Sequence, residues 1–133
     1  MSRSGYSDDC DDNSCWLWMG AVERATKGKR GQRLLRDLLA ALEAMPEKRL
    51  IHGALVEHGE VCALGALGRT RGLDMTNIDP EDREAVAKAF GVAESLAAEI
   101  MYQNDEGPWR AGPGERWEHM HEWVRRQIKE TAP

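Results

Sequence analysis

The chain has 133 residues, a formal charge of −5, 41% hydrophobic and 31% charged residues, values that exclude a disordered chain and leave enough length to bury a core without disulfide or metal staples. No apolar run approaches a membrane span, and the opening residues Met1-Ser2-Arg3-Ser4-Gly5-Tyr6 lack the apolar centre of a secretory signal. Cys10, Cys15 and Cys62 form neither an even disulfide set nor a paired zinc spacing, so the expectation is a cytoplasmic protein with reduced thiols and no membrane partner.

Residues 1–13 are polar and acidic, with Asp8, Asp9, Asp11 and Asp12, and read as a flexible arm. Order is expected from Ser14. Trp16, Met19, Gly20 and Val22 permit a first helix to about Thr26, and Gly28 and Gly31 mark a turn after it. From Gln32 to Met45, Leu34, Leu35, Leu38, Leu39, Leu42 and Met45 recur at helical spacing until Pro46 stops them. Residues 49–59, with Leu50, Ile51, Leu55 and Val56 between glycines, suit a short strand or a helical turn, and 61–71 a short buried helix ended by Gly72. Asp79-Pro80-Glu81-Asp82 predicts a helix start capped by Asp79, running to Phe90 and Gly91. A second helix follows at once, with Val92, Leu96 and Ile100 on one stripe, and ends near Asn104, where Gly107 offers a left-handed cap. After a loop rich in glycine and proline, residues 114–130 place Trp117, Met120, Val124 and Ile128 on a last helical face, with Trp123 beside it. The result is a mainly α fold: a compact single-domain bundle of about five helices over 14–130, including a helix-turn-helix-like pair, with room for a short strand near 49–56.

Few residue clusters suggest chemistry. The segment from Val86 to Ile100, with Ala87 at a crossing and Gly91 at a turn, has helix-turn-helix spacing. Its outward positions, however, read Ala93, Glu94, Ser95, Ala98 and Glu99, which offer no cation to a phosphate. The run Arg24, Lys27, Lys29, Arg30, Arg33 and Arg36 puts cations at a helix start, against the macrodipole. It needs a bound anion or acids from elsewhere, either Asp8 to Asp12 or Glu43, and Lys27, Lys29, Arg30 and Arg33 are its candidate anion ligands. Cys62 with His52 or His58 could form a nucleophile pair, but its apolar neighbours favour a buried inert thiol. His119 and His121 are two apart, so on a helix they diverge by about 200° and cannot share a metal. Asn104-Asp105-Glu106 lacks the further oxygens calcium needs. The expectation is therefore no catalytic residue, no cofactor, no metal and no enzyme activity.

The residues Gly5-Tyr6-Ser7-Asp8-Asp9, Gly28-Lys29-Arg30-Gly31-Gln32, Val61-Cys62-Ala63-Leu64-Gly65-Ala66-Leu67 and Asn104-Asp105-Glu106, with the helix from Arg116-Trp117 to Trp123-Val124, resemble a family of small proteins encoded by bacteriophages and prophages of proteobacteria. The resemblance implies a bacterial host cytoplasm and carries over no functional residue. In that context the expected function is a helical interaction protein that binds a host or phage protein, such as a nucleic-acid-handling defence complex, as a counter-defence inhibitor of CRISPR or restriction systems. Its contact candidates are Asp8, Asp9, Asp11, Asp12, Trp18, Trp109, Glu94 and Glu99. Two alternatives stand beside it: nucleic-acid binding through the helix pair, and binding of a phosphorylated small molecule at the basic loop over 27–33.

Overall fold

A computed structural model describes residues 13–107 and 112–129, with side chains from residue 18 onward in the first stretch. The described residues form a mainly helical fold of six helices and one two-stranded hairpin: α1 (Asn13–Lys27), α2 (Lys29–Ala44), β1 (Val56–Glu57), β2 (Glu60–Val61), α3 (Ala63–Thr70), α4 (Arg83–Phe90), α5 (Glu94–Glu106) and α6 (Pro113–Gln127). Helices α2 and α5 are the two hubs: α1, α3 and α6 each pack against both, and α4 packs on α5. The core between them is built from Leu34, Leu35, Leu38 and Leu42 of α2, Leu64 and Leu67 of α3, Leu96, Ile100 and Met101 of α5, and Met120 and Val124 of α6. Among the described residues no helix is long and apolar enough to cross a membrane.

Several expected boundaries move, each for a local reason. The turn expected across Gly28 and Gly31 is only Gly28, whose extended backbone (φ −71°, ψ 164°) links α1 directly to α2. Gly31 lies inside α2, and a Cβ there would collide with the Ala25 carbonyl, so its missing side chain lets the two helices meet. The strand expected near 49–56 is displaced to a hairpin pairing Val56 with Val61 and Glu57 with Glu60. His58 and Gly59 form its two-residue turn, both with positive φ (52° and 78°), as a primed hairpin turn requires. This removes Val61 from the helix expected over 61–71, and α3 starts after Cys62, whose sulfur accepts the Gly65 N–H at 3.4 Å. The helix expected to be capped by Asp79 is capped instead by Asp82, which accepts the Ala85 N–H at 3.1 Å. Asp79 makes its own turn by accepting the Glu81 N–H at 2.9 Å.

Gly91 adopts the left-handed conformation (φ 70°) at the end of α4, as expected, and Val92 then bonds back to the Ala87 carbonyl at 3.1 Å rather than opening α5. Gly107 is not left-handed (φ −57°); it is glycine because a Cβ would strike the His119 ring. On α6, Met120 and Val124 are buried as expected, but the core face is rotated toward Arg116 and Trp123, leaving Trp117 and Ile128 half-buried. Arg116 is buried because it is a connector: Nε donates to the Asn104 carbonyl (2.9 Å) and Nη1 to the Leu50 carbonyl (3.3 Å). Asn104 completes the tie, accepting from Ala63 N (3.0 Å) and donating to the Ile51 carbonyl (2.9 Å), while Asp105 accepts from Gly53 N at 3.1 Å. These bonds hold the irregular 49–55 segment where backbone ladders do not.

Candidate anion-binding site at the α1–α2 elbow

The basic run falls on both sides of Gly28. Helix α1 ends at Lys27, α2 begins at Lys29, and the close approach at Gly31 folds the first turn of α2 back against Ala25. Gln32 locks the arrangement from inside. Buried beneath the elbow, its amide nitrogen donates to the carbonyls of Thr26 (2.7 Å) and Gln127 (3.0 Å), and its oxygen accepts the Lys129 N–H at 2.8 Å. One side chain thus ties the end of α1 and the end of α6 to the start of α2.

The first turn of α5 closes the other side. A half-open cavity of about 230 Å³ lies between Arg24, Ala25 and Gly28 of the elbow, Lys29, Arg30 and Gly31 of α2, and Ala93 and Leu96 at the start of α5. Neither helix start that borders it has a side-chain cap, since Gly28 and Ala93 occupy the N-cap positions. The first main-chain bond into α2 is Gln32 N to Gly28 O (2.9 Å), and into α5 Leu96 N to Ala93 O (3.1 Å), so the amides before them have no acceptor within their own helix. The lining contains three cations and no acid.

The predicted anion ligands divide. Lys29 and Arg30 line the cavity. Lys27 does not: its ammonium bonds Glu23 at 2.6 Å, and that pair holds the Glu23 carboxyl below its ordinary value. Arg33 is exposed one turn farther along α2, outside the cavity. Arg24, in the basic run but not among the four candidates, also lines the cavity, with its Nη1 set back along α1 beside Gly20. Among the described residues Lys29, Arg30, Arg33 and Arg36 make no ion pair, and Glu43, offered as their partner, lies beside His121 at 3.7 Å. The contribution of α5 was missed; its trace in the sequence is the helix start Ala93-Glu94, which carries no capping side chain where one is normally found.

Of the contact candidates, Trp18 and Glu94 meet at Arg83, and Glu99 lies apart from them. Trp18 is half-buried under the Arg83 guanidinium, 5.2 Å from its ring centroid, and Glu94 pairs with Arg83 at 3.1 Å. Glu99 accepts the Gln103 amide at 3.1 Å, on a side of α5 about 140° from Glu94. Asp8, Asp9, Asp11, Asp12 and Trp109 lie outside the described residues. The helix pair keeps its turn geometry, but Ser95 and Ala98, expected to face outward, are buried, and the Ser95 hydroxyl donates to the Ala21 carbonyl of α1 at 3.4 Å. Helix α1 covers the face that a recognition helix would present to a groove.

Cys62 is buried and caps α3, while His52 and His58 are exposed, so no nucleophile pair forms from them. His119 and His121 diverge: His119 Nε2 meets Gln103 Oε1 at 3.0 Å, and His121 stacks on Trp117 at 4.7 Å between centroids. No cluster of three metal-ligating side chains occurs among the described residues. No family model, curated protein or solved structure matches the chain.

Proposed function

We propose that the chain binds a phosphate-bearing ligand in the cavity at the α1–α2 elbow. The observation that carries this is the meeting of Lys29 and Arg30, with Arg24 beside them, and two helix starts that lack side-chain caps around a single cavity whose lining holds no acid. Two cations in the first turn of α2 oppose the macrodipole, and a doubly charged anion among them satisfies both the cations and the main-chain donors. Arginine adds a planar fork suited to phosphate oxygens. The expected protein-binding surface has less geometric support, because Trp18, Glu94 and Glu99 already contact neighbours within the fold.

Thermal unfolding in the presence of inorganic pyrophosphate tests the reading. A ligand at about 100 times its dissociation constant stabilises by about 2.7 kcal/mol, a clear rise in Tm. Replacing Lys29 and Arg30 together by glutamine removes the rise, and no rise in the unaltered chain with phosphate or pyrophosphate refutes the proposal.

A further inference from the structure

The size of the cavity and the charges beyond it identify the rest of the ligand. At about 230 Å³ the cavity is below the ~300 Å³ at which pockets begin to enclose a whole small molecule. It takes a headgroup and leaves what is attached outside. Along α2 from the cavity, Lys29, Arg33 and Arg36 are exposed and share one helical stripe at spacings of four and three residues. At ~1.5 Å rise per residue the stripe advances by about 6 and then 4.5 Å. The nearest acid on α2, Asp37, pairs with Arg71 at 3.1 Å, which offsets its charge. The next, Glu43, lies near the far end of α2.

A row of cations beginning at a small cavity bordered by cations fits a ligand with repeated anions. We infer that the elbow and the α2 stripe together bind the phosphorylated end of a single nucleic-acid strand, the terminal phosphate in the cavity and the following phosphodiesters on Arg33 and Arg36. This rests on the phosphate-binding reading above. A terminal phosphomonoester suits the cavity because it carries the greater charge and only one continuing chain. The stripe is narrow, one cation wide, which suits one strand. An anionic membrane surface suits it less, since the exposed large apolar side chains, Met19 and Val56, lie outside α2. Four arginines among the five cations of cavity and stripe favour phosphate over the carboxylates of an acidic peptide through their fork geometry at each oxygen pair. The route also avoids the helix pair, whose outward face is covered by α1.

The test is fluorescence anisotropy of the full chain with single-stranded DNA of about 12 nucleotides, with and without a terminal phosphate at either end, at about 50 mM salt. The expected result is about tenfold tighter binding of a phosphorylated end, a preference that Lys29→Gln with Arg30→Gln abolishes. Arg33→Gln with Arg36→Gln weakens all strands and lowers the salt slope by about 1.4, two phosphates' worth for a single strand. Those arginines are exposed and make no ion pair among the described residues, so circular dichroism should report an unchanged fold. Equal affinity for phosphorylated and unphosphorylated ends overturns the inference. So does binding of pyrophosphate as tight as that of any strand, or preferential retention on phosphatidylserine vesicles, and both of these leave the phosphate-binding reading standing. Failure of pyrophosphate and of every strand to bind removes both.

Discussion

Gln32 gives the sharpest test of the architecture that creates the site. Its side chain makes three hydrogen bonds, to Thr26 O at 2.7 Å, Gln127 O at 3.0 Å and Lys129 N at 2.8 Å, from a position 5% exposed. Gln32→Met keeps the length and removes all three. A typical bond contributes about 1 kcal/mol net, with more lost where the abandoned partner stays buried, as at Thr26, and less where water reaches it, as near Lys129. The expected loss is about 3 kcal/mol, a large share of the ~5–15 kcal/mol that stabilises a domain. With an unfolding entropy of ~2.1 cal/mol/K per residue over 133 residues, Tm falls by about 10 °C. Gln32→Glu is worse at neutral pH, because a carboxylate then faces two carbonyl oxygens. It recovers in part as the pH falls from neutral toward the usual carboxylate range of about 4.3, where a proton restores one donor. Urea denaturation followed by tryptophan fluorescence measures both variants, with the midpoint moving at constant m. A Met variant that loses less than about 1 kcal/mol, or a Glu variant no weaker than Met at pH 7, refutes the clamp.

Three further outcomes follow from local geometry. In α3, Gly65→Ala drives a Cβ into the Leu55 carbonyl and should destabilise by about 1–3 kcal/mol, whereas at Gly68 the Cβ meets side-chain atoms only, of Met75 and Phe90, and Ala should cost less; urea midpoints compare them. Asp82→Ala should lower stability by about 1 kcal/mol and Asp79→Ala by no more than about 0.5, because only Asp82 caps α4; equal effects would contradict that assignment. His119 has its pKa lowered from the ordinary 6.5, first by burial and then by Arg126, against an opposing pull from Glu122. The unfolded chain therefore binds that proton more readily, so its stabilising contribution is present above pH 6.5 and is lost as the pH falls through the depressed folded value. His119→Gln should reduce the slope of stability against pH in that window, and an unchanged slope would exclude His119 as its source.

The helices were legible in the sequence wherever periodicity and punctuation agreed. The leucines of α2, the Gly91 turn and the Met120–Val124 face of α6 are where apolar spacing placed them. What the pattern could not convey is which neighbour arrives on each face. Ser95 and Ala98 read as outward because the helix-turn-helix register leaves them off its core stripe, yet their small size lets α1 lie close over α5. Nothing in the pattern marked Arg116 as buried, because its partners are main-chain carbonyls 12 and 66 residues away. Gly31 read as a turn because a glycine between helices usually is one; its actual role, admitting the Ala25 carbonyl, exists only once the helices cross. The basic run was visible, but the cavity was not, because its third wall comes from Ala93 and Leu96, about 60 residues downstream.

The same elbow separates what the fold wants from what a ligand wants. Lys29 and Arg30 occupy the first turn of α2, which contains no acid, and the last turn contains no base, so the charge order opposes the macrodipole at both ends. Lys48 offsets part of this at the C-terminal end by donating to the carbonyls of Glu43 and Met45 at 2.6 and 2.5 Å, but nothing described does so at the other. If those cations served stability, reversing them would harm it. If they serve a ligand, reversal should help the empty protein, as it often does where activity holds a strained or repulsive site in place. Arg30→Glu is the direct test. Removing the unfavourable cation is worth about 0.3–1 kcal/mol at low ionic strength, and installing an anion at the second helical position adds a similar amount. The variant should unfold at a higher temperature than the unaltered chain at low salt, lose that advantage as salt is added, and gain nothing from pyrophosphate. A variant that is less stable would assign Arg30 to the fold and take away the charge argument for a ligand at the elbow.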